Sequence, residues 1–206
     1  MNSLQIAFLV VLLIPLVAAT WRMSLFGLAL QGFLLGWMSL RQDEGLSPSM
    51  LLLLIDFVLV RGVLAPRYLY GIMKSRNAPP RNDVIPANLL FWTLAGTIVL
   101  LAFRCAGTLS HGDAAAVTNL AVAGAALFLG MLVLSTQNSP FSQIVGVLRL
   151  ENGIALFEIG SPHRFSIPVQ IGVALIFFVS VLLLGNFLDR LLDPVVRVDS
   201  PERPTL

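Results

Sequence analysis

Residues 167–188 read IPVQIGVALIFFVSVLLLGNFL (Ile167–Leu188), 22 positions without one ionisable side chain. A helix needs about 20 apolar residues to cross a hydrocarbon core of roughly 30 Å, so this stretch is long enough to span a bilayer. Lipid offers no partners to backbone N–H and C=O groups, and a helix satisfies them internally. Towards the amino terminus, six further stretches approach the same length: Leu4–Thr20, Met23–Leu40, Pro48–Met73, Asn88–Leu109, Ala114–Thr136 and Phe141–Gly160. Short connections with turn chemistry separate them, among them Arg41-Gln42-Asp43-Glu44-Gly45, Asn138-Ser139-Pro140 and Ser161-Pro162-His163. The longest, Lys74–Ala87, holds Pro79, Pro80 and Pro86 and cannot be helical throughout. The sequence therefore predicts an all-α polytopic membrane bundle of about seven transmembrane helices, residues 1–188. A polar tail, 189–206, reads as extended or disordered.

Composition agrees. Hydrophobic residues make up 57% of the 206 and charged residues 12%, against about 25% charged in soluble domains. A net charge of +2 is too small to argue a nucleic-acid partner, and the aromatic residues sit mostly inside apolar runs, not between basic clusters. Cys105, the only cysteine, cannot form an internal disulfide and reads as a small apolar helix residue. No Cys/His cluster has metal-ligand spacing, and no Walker loop, nucleophile elbow or Gly-rich dinucleotide turn appears. Neither metal, cofactor nor catalytic residue is expected. The first segment ends in Val17-Ala18-Ala19-Thr20, faintly like a signal-peptide cleavage site. No positive charge precedes it and another apolar span follows, so it reads as the first helix.

Basic residues set the orientation. The third connection carries Lys74, Arg76 and Arg81, with Arg67 just before it, and is the most basic loop. It is expected in the cytoplasm of a bacterial or archaeal cell, which puts the amino terminus outside and the carboxyl terminus inside. Arg22 then falls inside, and Arg41, Asp43, Glu44 and Arg164 fall outside.

Ionisable residues inside a span cost about 2.5–3.5 kcal/mol each near its centre and are functional candidates by default. Asp56 and Arg61 lie in the third helix; Arg149, Glu151 and Glu158 lie in the sixth. Glu151 stands close to the middle of its span. Each α-helical residue advances about 100°, so Arg149 and Glu151 point to nearly opposite sides. Asp56 and Arg61 fall roughly 140° apart, which disfavours a bond between them. Partners are therefore expected from other helices or subunits. Glu158 returns to the stripe of Glu151 two turns nearer the outer surface, and its position reads as a solvated helix end. Glu151 itself supports two readings, a proton-carrying carboxyl or half of an interhelical ion pair such as one with Arg61.

Other polar features carry less. Gly32-x-x-x-Gly36 permits close helix contact, although so apolar a chain offers that spacing by chance. Thr93, Thr97, Thr118, Asn119 and Gln170 read as interhelical hydrogen-bonding groups, and His111 and His163 as solvated loop residues.

The stretch Gln143-Ile144-Val145-Gly146-Val147-Leu148-Arg149-Leu150-Glu151-Asn152-Gly153 resembles the Q-I-x-G-x-x-x-x-E-N-G signature of the hydrogenase-4 component E family. Its members are membrane subunits of group 4 nickel–iron hydrogenases and formate hydrogenlyase-like complexes. The likeness continues at Val169-Gln170-Ile171-Gly172-Val173-Ala174 and in the third helix, where Arg61, Val63, Leu64 and Pro66 resemble a K-V-L-x-P pattern. Residues 114–188 are also similar to the K subunit of complex I and the C subunit of multisubunit antiporters. In that K subunit a G-L-E glutamate belongs to the buried charge chain linking redox chemistry to proton movement, and Glu151 occupies its position. The resemblance implies a non-catalytic subunit beside antiporter-like and complex I H-subunit-like neighbours. Two departures stand out: Gln170 and Ile176 replace acidic residues common in relatives, and the last helix lacks a second glutamate. Arg61 fills a lysine position, and a guanidinium does not readily give up its proton, so it suits an electrostatic partner better than a proton carrier.

Overall fold

A computed structural model describes residues 3–17, 20–42, 47–78, 89–110, 114–160 and 165–193. These hold seven helices: α1 Ser3–Val17, α2 Trp21–Gln42, α3 Pro48–Ser75, α4 Leu89–Leu109, α5 Ala114–Thr136, α6 Pro140–Gly160 and α7 Ile167–Leu191. Five of them, α2, α3, α4, α5 and α7, contain segments long and apolar enough to cross a membrane. The apolar part of α1 is shorter, and α6 carries Arg149, Glu151 and Glu158 within its 21 residues. His111, His163 and most of the polar tail lie outside the described residues. The described part of that tail differs from expectation, since α7 stays helical to Leu191.

The starts of α3 and α6 follow from Ser-Pro pairs. Ser47 accepts a hydrogen bond from the Met50 N–H at 3.2 Å, and Ser139 does the same for Ser142 at 3.2 Å. Each caps an otherwise unpaired N–H, while Pro48 and Pro140 occupy positions that need no donor. The most buried helix is α6, which packs against α2, α5 and α7. The core around it has two parts. Phe8, Leu12, Leu35, Phe57, Val122 and Leu156 fill one, and Leu28, Leu69, Leu148, Phe177 and Val181 fill the other.

The middle of α3 departs from α geometry. Ile55–Leu64 form a π-helical stretch, closed at its end by the Ala65 N–H donating to the Val60 carbonyl, five residues back. Pro66 supplies one reason. It has no N–H for the Gly62 carbonyl, and its ring would crowd that oxygen in a regular α turn. A wider turn absorbs both defects.

Gly62 also lies where α2 crosses α3 most closely. A Cβ on Gly32 would stand 2.5 Å from the Gly62 nitrogen, 2.7 Å from its Cα and 2.7 Å from the Phe57 carbonyl oxygen. One on Gly36 would meet a methyl of Val58 at 2.5 Å. The Gly32-x-x-x-Gly36 spacing is thus used within the chain, to bring two backbones together. Because the atoms facing Gly32 are backbone, they cannot swing aside. Gly32→Val is expected to lower stability by about 3 kcal/mol or more, the upper end of overpacking costs. Gly71→Ala, where an added Cβ meets nothing within 4 Å, should unfold close to wild type in the same detergent melt.

A buried charge cluster between α3, α6 and α7

The π stretch decides how its charges meet. In an α-helix residues five apart diverge, but a turn closed by i→i+5 bonds stacks them. Asp56 and Arg61 accordingly form a buried ion pair, with Arg61 Nε donating to Asp56 Oδ2 at 2.8 Å. The expectation that geometry disfavours a bond between them is corrected: it assumed a uniform 100° step that this segment does not follow.

Arg61 is 1% exposed and ties three helices together. Its Nη1 donates to Asn152 Oδ1 on α6 at 3.1 Å, and Asn152 Nδ2 donates to Gln31 Oε1 on α2 at 3.3 Å. Its guanidinium lies 4.0 Å from the ring centroid of Phe177 on α7 and 5.7 Å from that of Phe57. Such cation–π contacts are worth about 2 kcal/mol when desolvated.

Glu151 sits one residue before Asn152, about 15 Å from either end of α6 at 1.5 Å per residue. Its carboxyl group faces Ser180 on α7 and feels the charges of Arg61 and Asp56. The ion pair with Arg61 considered from the sequence is not formed among the described residues; Asp56 takes that place. Arg61 and Glu151 instead share a cavity of about 170 Å³ with Ile154, Val173 and Ile176. Ile154 is 52% and Ile176 65% exposed, so the cavity opens on the outer surface between α6 and α7. Glu151 Oε2 and Asp56 Oδ1 are buried and have no hydrogen-bond partner among the described residues. A liquid water takes about 30 Å³, so there is room for several beside the free carboxyl oxygen.

Arg149 turns the other way, as its angular position predicts. It is also 1% exposed, and its guanidinium donates to three backbone carbonyls: Val11 at 3.2 Å, Leu12 at 3.4 Å and Ser24 at 3.3 Å. Val11 is the residue whose carbonyl would bond the N–H of residue 15, and residue 15 is proline. Arg149 therefore supplies a donor that α1 itself cannot, and these carbonyls lie away from Glu151.

Glu158 is 4% exposed, so the expectation of a solvated end residue is corrected; neighbouring helices cover the end of α6. Among the lesser polar groups, Gln170 accepts from Ser49 at 3.0 Å and Asn119 accepts from Gln5, both between helices. Thr97 and Thr118 instead donate to carbonyls of their own helices, Thr93 and Ala114. A hydroxyl that bonds the turn before it has no need of a neighbour. Cys105 is exposed. No group of three or more His, Cys, Asp or Glu suited to a metal occurs among the described residues.

A scan of family models and searches of curated proteins and solved structures find no match.

Proposed function

We propose that this chain is a non-catalytic membrane-arm subunit of a hydrogenase- or complex I-like, redox-driven proton-translocating assembly. It crosses a bacterial or archaeal cytoplasmic membrane about seven times, amino terminus outside and carboxyl terminus inside. Glu151 is its proton-carrying group. The observation behind this reading is the set of one guanidinium and two carboxyls, buried Arg61 and Asp56 with half-buried Glu151 beside them.

Charge balance gives the set its chemistry. A net charge in a low-dielectric interior is costly, so the neutral arrangement is favoured. One arginine balances one carboxylate, and three such groups are neutral when the two acids hold one proton between them. Asp56 is bound to Arg61, which leaves that proton on Glu151, beside a cavity with room for water. A charge arriving in a neighbouring subunit shifts the balance and drives uptake or release. The resemblance of residues 114–188 to the complex I K subunit supports this reading, because it implies that Glu151 takes the position of a glutamate in that subunit's buried charge chain. Antiporter-like and complex I H-subunit-like proteins are the partners it implies.

The second reading is a structural adaptor that assembles the complex without carrying protons. Arg149 bonded to carbonyls of α1 and α2 favours it, because that residue fixes helix positions and moves no charge. Glu151→Gln separates the two readings. In the assembled complex, proton transport coupled to electron transfer should fall at least tenfold while subunit composition is unchanged. Undiminished coupling would leave only the adaptor.

A further inference from the structure

At the opposite end of α3 from its Ser-Pro start, a cavity of about 530 Å³ lies between α3 and α7. One face of α3 supplies Arg67, Tyr68, Gly71 and Ser75, and the last turns of α7 supply Asn186 and Asp189. Arg67 is exposed and has no ion pair or hydrogen bond among the described residues. Gly71 leaves the wall open, since a Cβ there would meet nothing within 4 Å. The carboxylate in the wall is already taken. Asp189 accepts from Arg76 Nε at 2.7 Å and Nη2 at 2.9 Å, a two-pronged pair that cancels its charge. Donating to Asp189 raises the Arg76 pKa above its ordinary value, so that cation persists. Lys74 and Arg190 are exposed nearby, making four cations around this end of α3 and α7 against Asp189 and Asp193.

The level of the cavity is marked by aromatic residues. Trp21, at the start of α2, packs against Tyr70 with ring centroids 5.4 Å apart and planes tilted by 52°; Trp and Tyr concentrate where membrane meets water. Towards the middle of α7, the stripe above Asn186 is apolar and exposed through Leu183, Leu182 and Val179. A basic, hydroxyl-lined cavity at the headgroup level thus continues into a lipid-facing apolar stripe.

We propose that this cavity binds the headgroup of an anionic phospholipid, its phosphate on Arg67 with Tyr68, Ser75 and Asn186 beside it, and its acyl chain along α7. The proposal rests on the membrane reading of the chain and is independent of the proton role of Glu151. An amphipathic ligand suits the site better than free phosphate because half of its surroundings are apolar.

The test uses the full chain in an uncharged detergent, titrated with phosphatidylglycerol, phosphatidylcholine or inorganic phosphate. Native mass spectrometry counts bound lipid, and melting gives an affinity. Phosphatidylglycerol should bind and raise Tm, whereas phosphatidylcholine binds several-fold more weakly and phosphate leaves Tm unchanged. Arg67→Gln should weaken phosphatidylglycerol binding about fivefold, the usual worth of one basic residue at an anionic surface. Gly71→Leu fills the cavity without touching any charge and should weaken binding at least as much; Arg22→Gln, on another helix, should leave it unchanged. Equal binding of the two lipids, a phosphate effect matching phosphatidylglycerol, or full binding by Gly71→Leu would each overturn the proposal.

Discussion

Arg61→Met is expected to lower the unfolding free energy by about 3–5 kcal/mol, the cost of breaking a buried pair by removing one partner. Three losses add in the same direction. Asp56 keeps a buried carboxylate whose one ion-pair partner among the described residues was 2.8 Å away, Asn152 Oδ1 loses its donor, and the rings of Phe57 and Phe177 lose the guanidinium beside them. Methionine restores much of the volume, so a cavity is not the main cause. The double variant Asp56→Leu/Arg61→Met should recover most of the loss, since apolar residues of similar size replace a buried pair at little net cost. Denaturant melts of the four proteins form a double-mutant cycle, and a coupling of more than 1 kcal/mol is expected for groups in direct contact. A single Arg61→Met variant within 1 kcal/mol of wild type would show that Asp56 finds another counter-charge. The double variant also has a functional use. It keeps the helix and Glu151 but removes the neighbouring cation and its carboxylate, so loss of coupled proton transport in a stably folded protein isolates the electrostatic contribution.

The helices were legible because length and apolarity are one-dimensional signals. A run such as Ile167–Leu188 needs no knowledge of its neighbours, and its one misjudged feature was an end at Leu191. The mid-helix position of Glu151 and the opposed directions of Arg149 and Glu151 also followed from counting along a regular helix. The Asp56–Arg61 pair did not, because the count fails where the helix widens. The available signal was Pro66, four residues after Gly62, which marks a missing bond in the ladder without saying how the chain absorbs it. Glu158 was misread because its solvation depends on which helices cover the end of α6, a tertiary fact. Gly32 is similar: the spacing allows a close crossing, but only the position of Gly62 on the facing helix makes it one.

The second large effect is expected at Arg149. Arg149→Met should cost about 2–4 kcal/mol, because bonds from a charged donor are worth roughly 1.5–3 kcal/mol and a buried orphan acceptor adds its own penalty. The carbonyls of Val11, Leu12 and Ser24 that accept from it are not equivalent. The carbonyls of Leu12 and Ser24 face residues 16 and 28, which have N–H groups, while the Val11 carbonyl faces Pro15, which has none. Removing Arg149 therefore strands Val11 most completely. Pro15→Ala restores that missing donor, so the double variant Pro15→Ala/Arg149→Met should regain about 1 kcal/mol, one ordinary backbone hydrogen bond. Arg149→Lys should fall between wild type and Met, since one ammonium cannot reproduce a planar fork reaching two helices. If Pro15→Ala brings no recovery, the proline-freed carbonyl is not what Arg149 stabilises. The same series bears on function. Arg149 holds α1 and α2 against α6 from the side opposite Glu151, so Arg149→Lys complexes that assemble should retain coupling that Glu151→Gln complexes lose. Under the proposed function, buried Arg149 and half-buried Glu151, two residues apart, have separate duties, one holding the bundle together and the other exchanging a proton across its open flank.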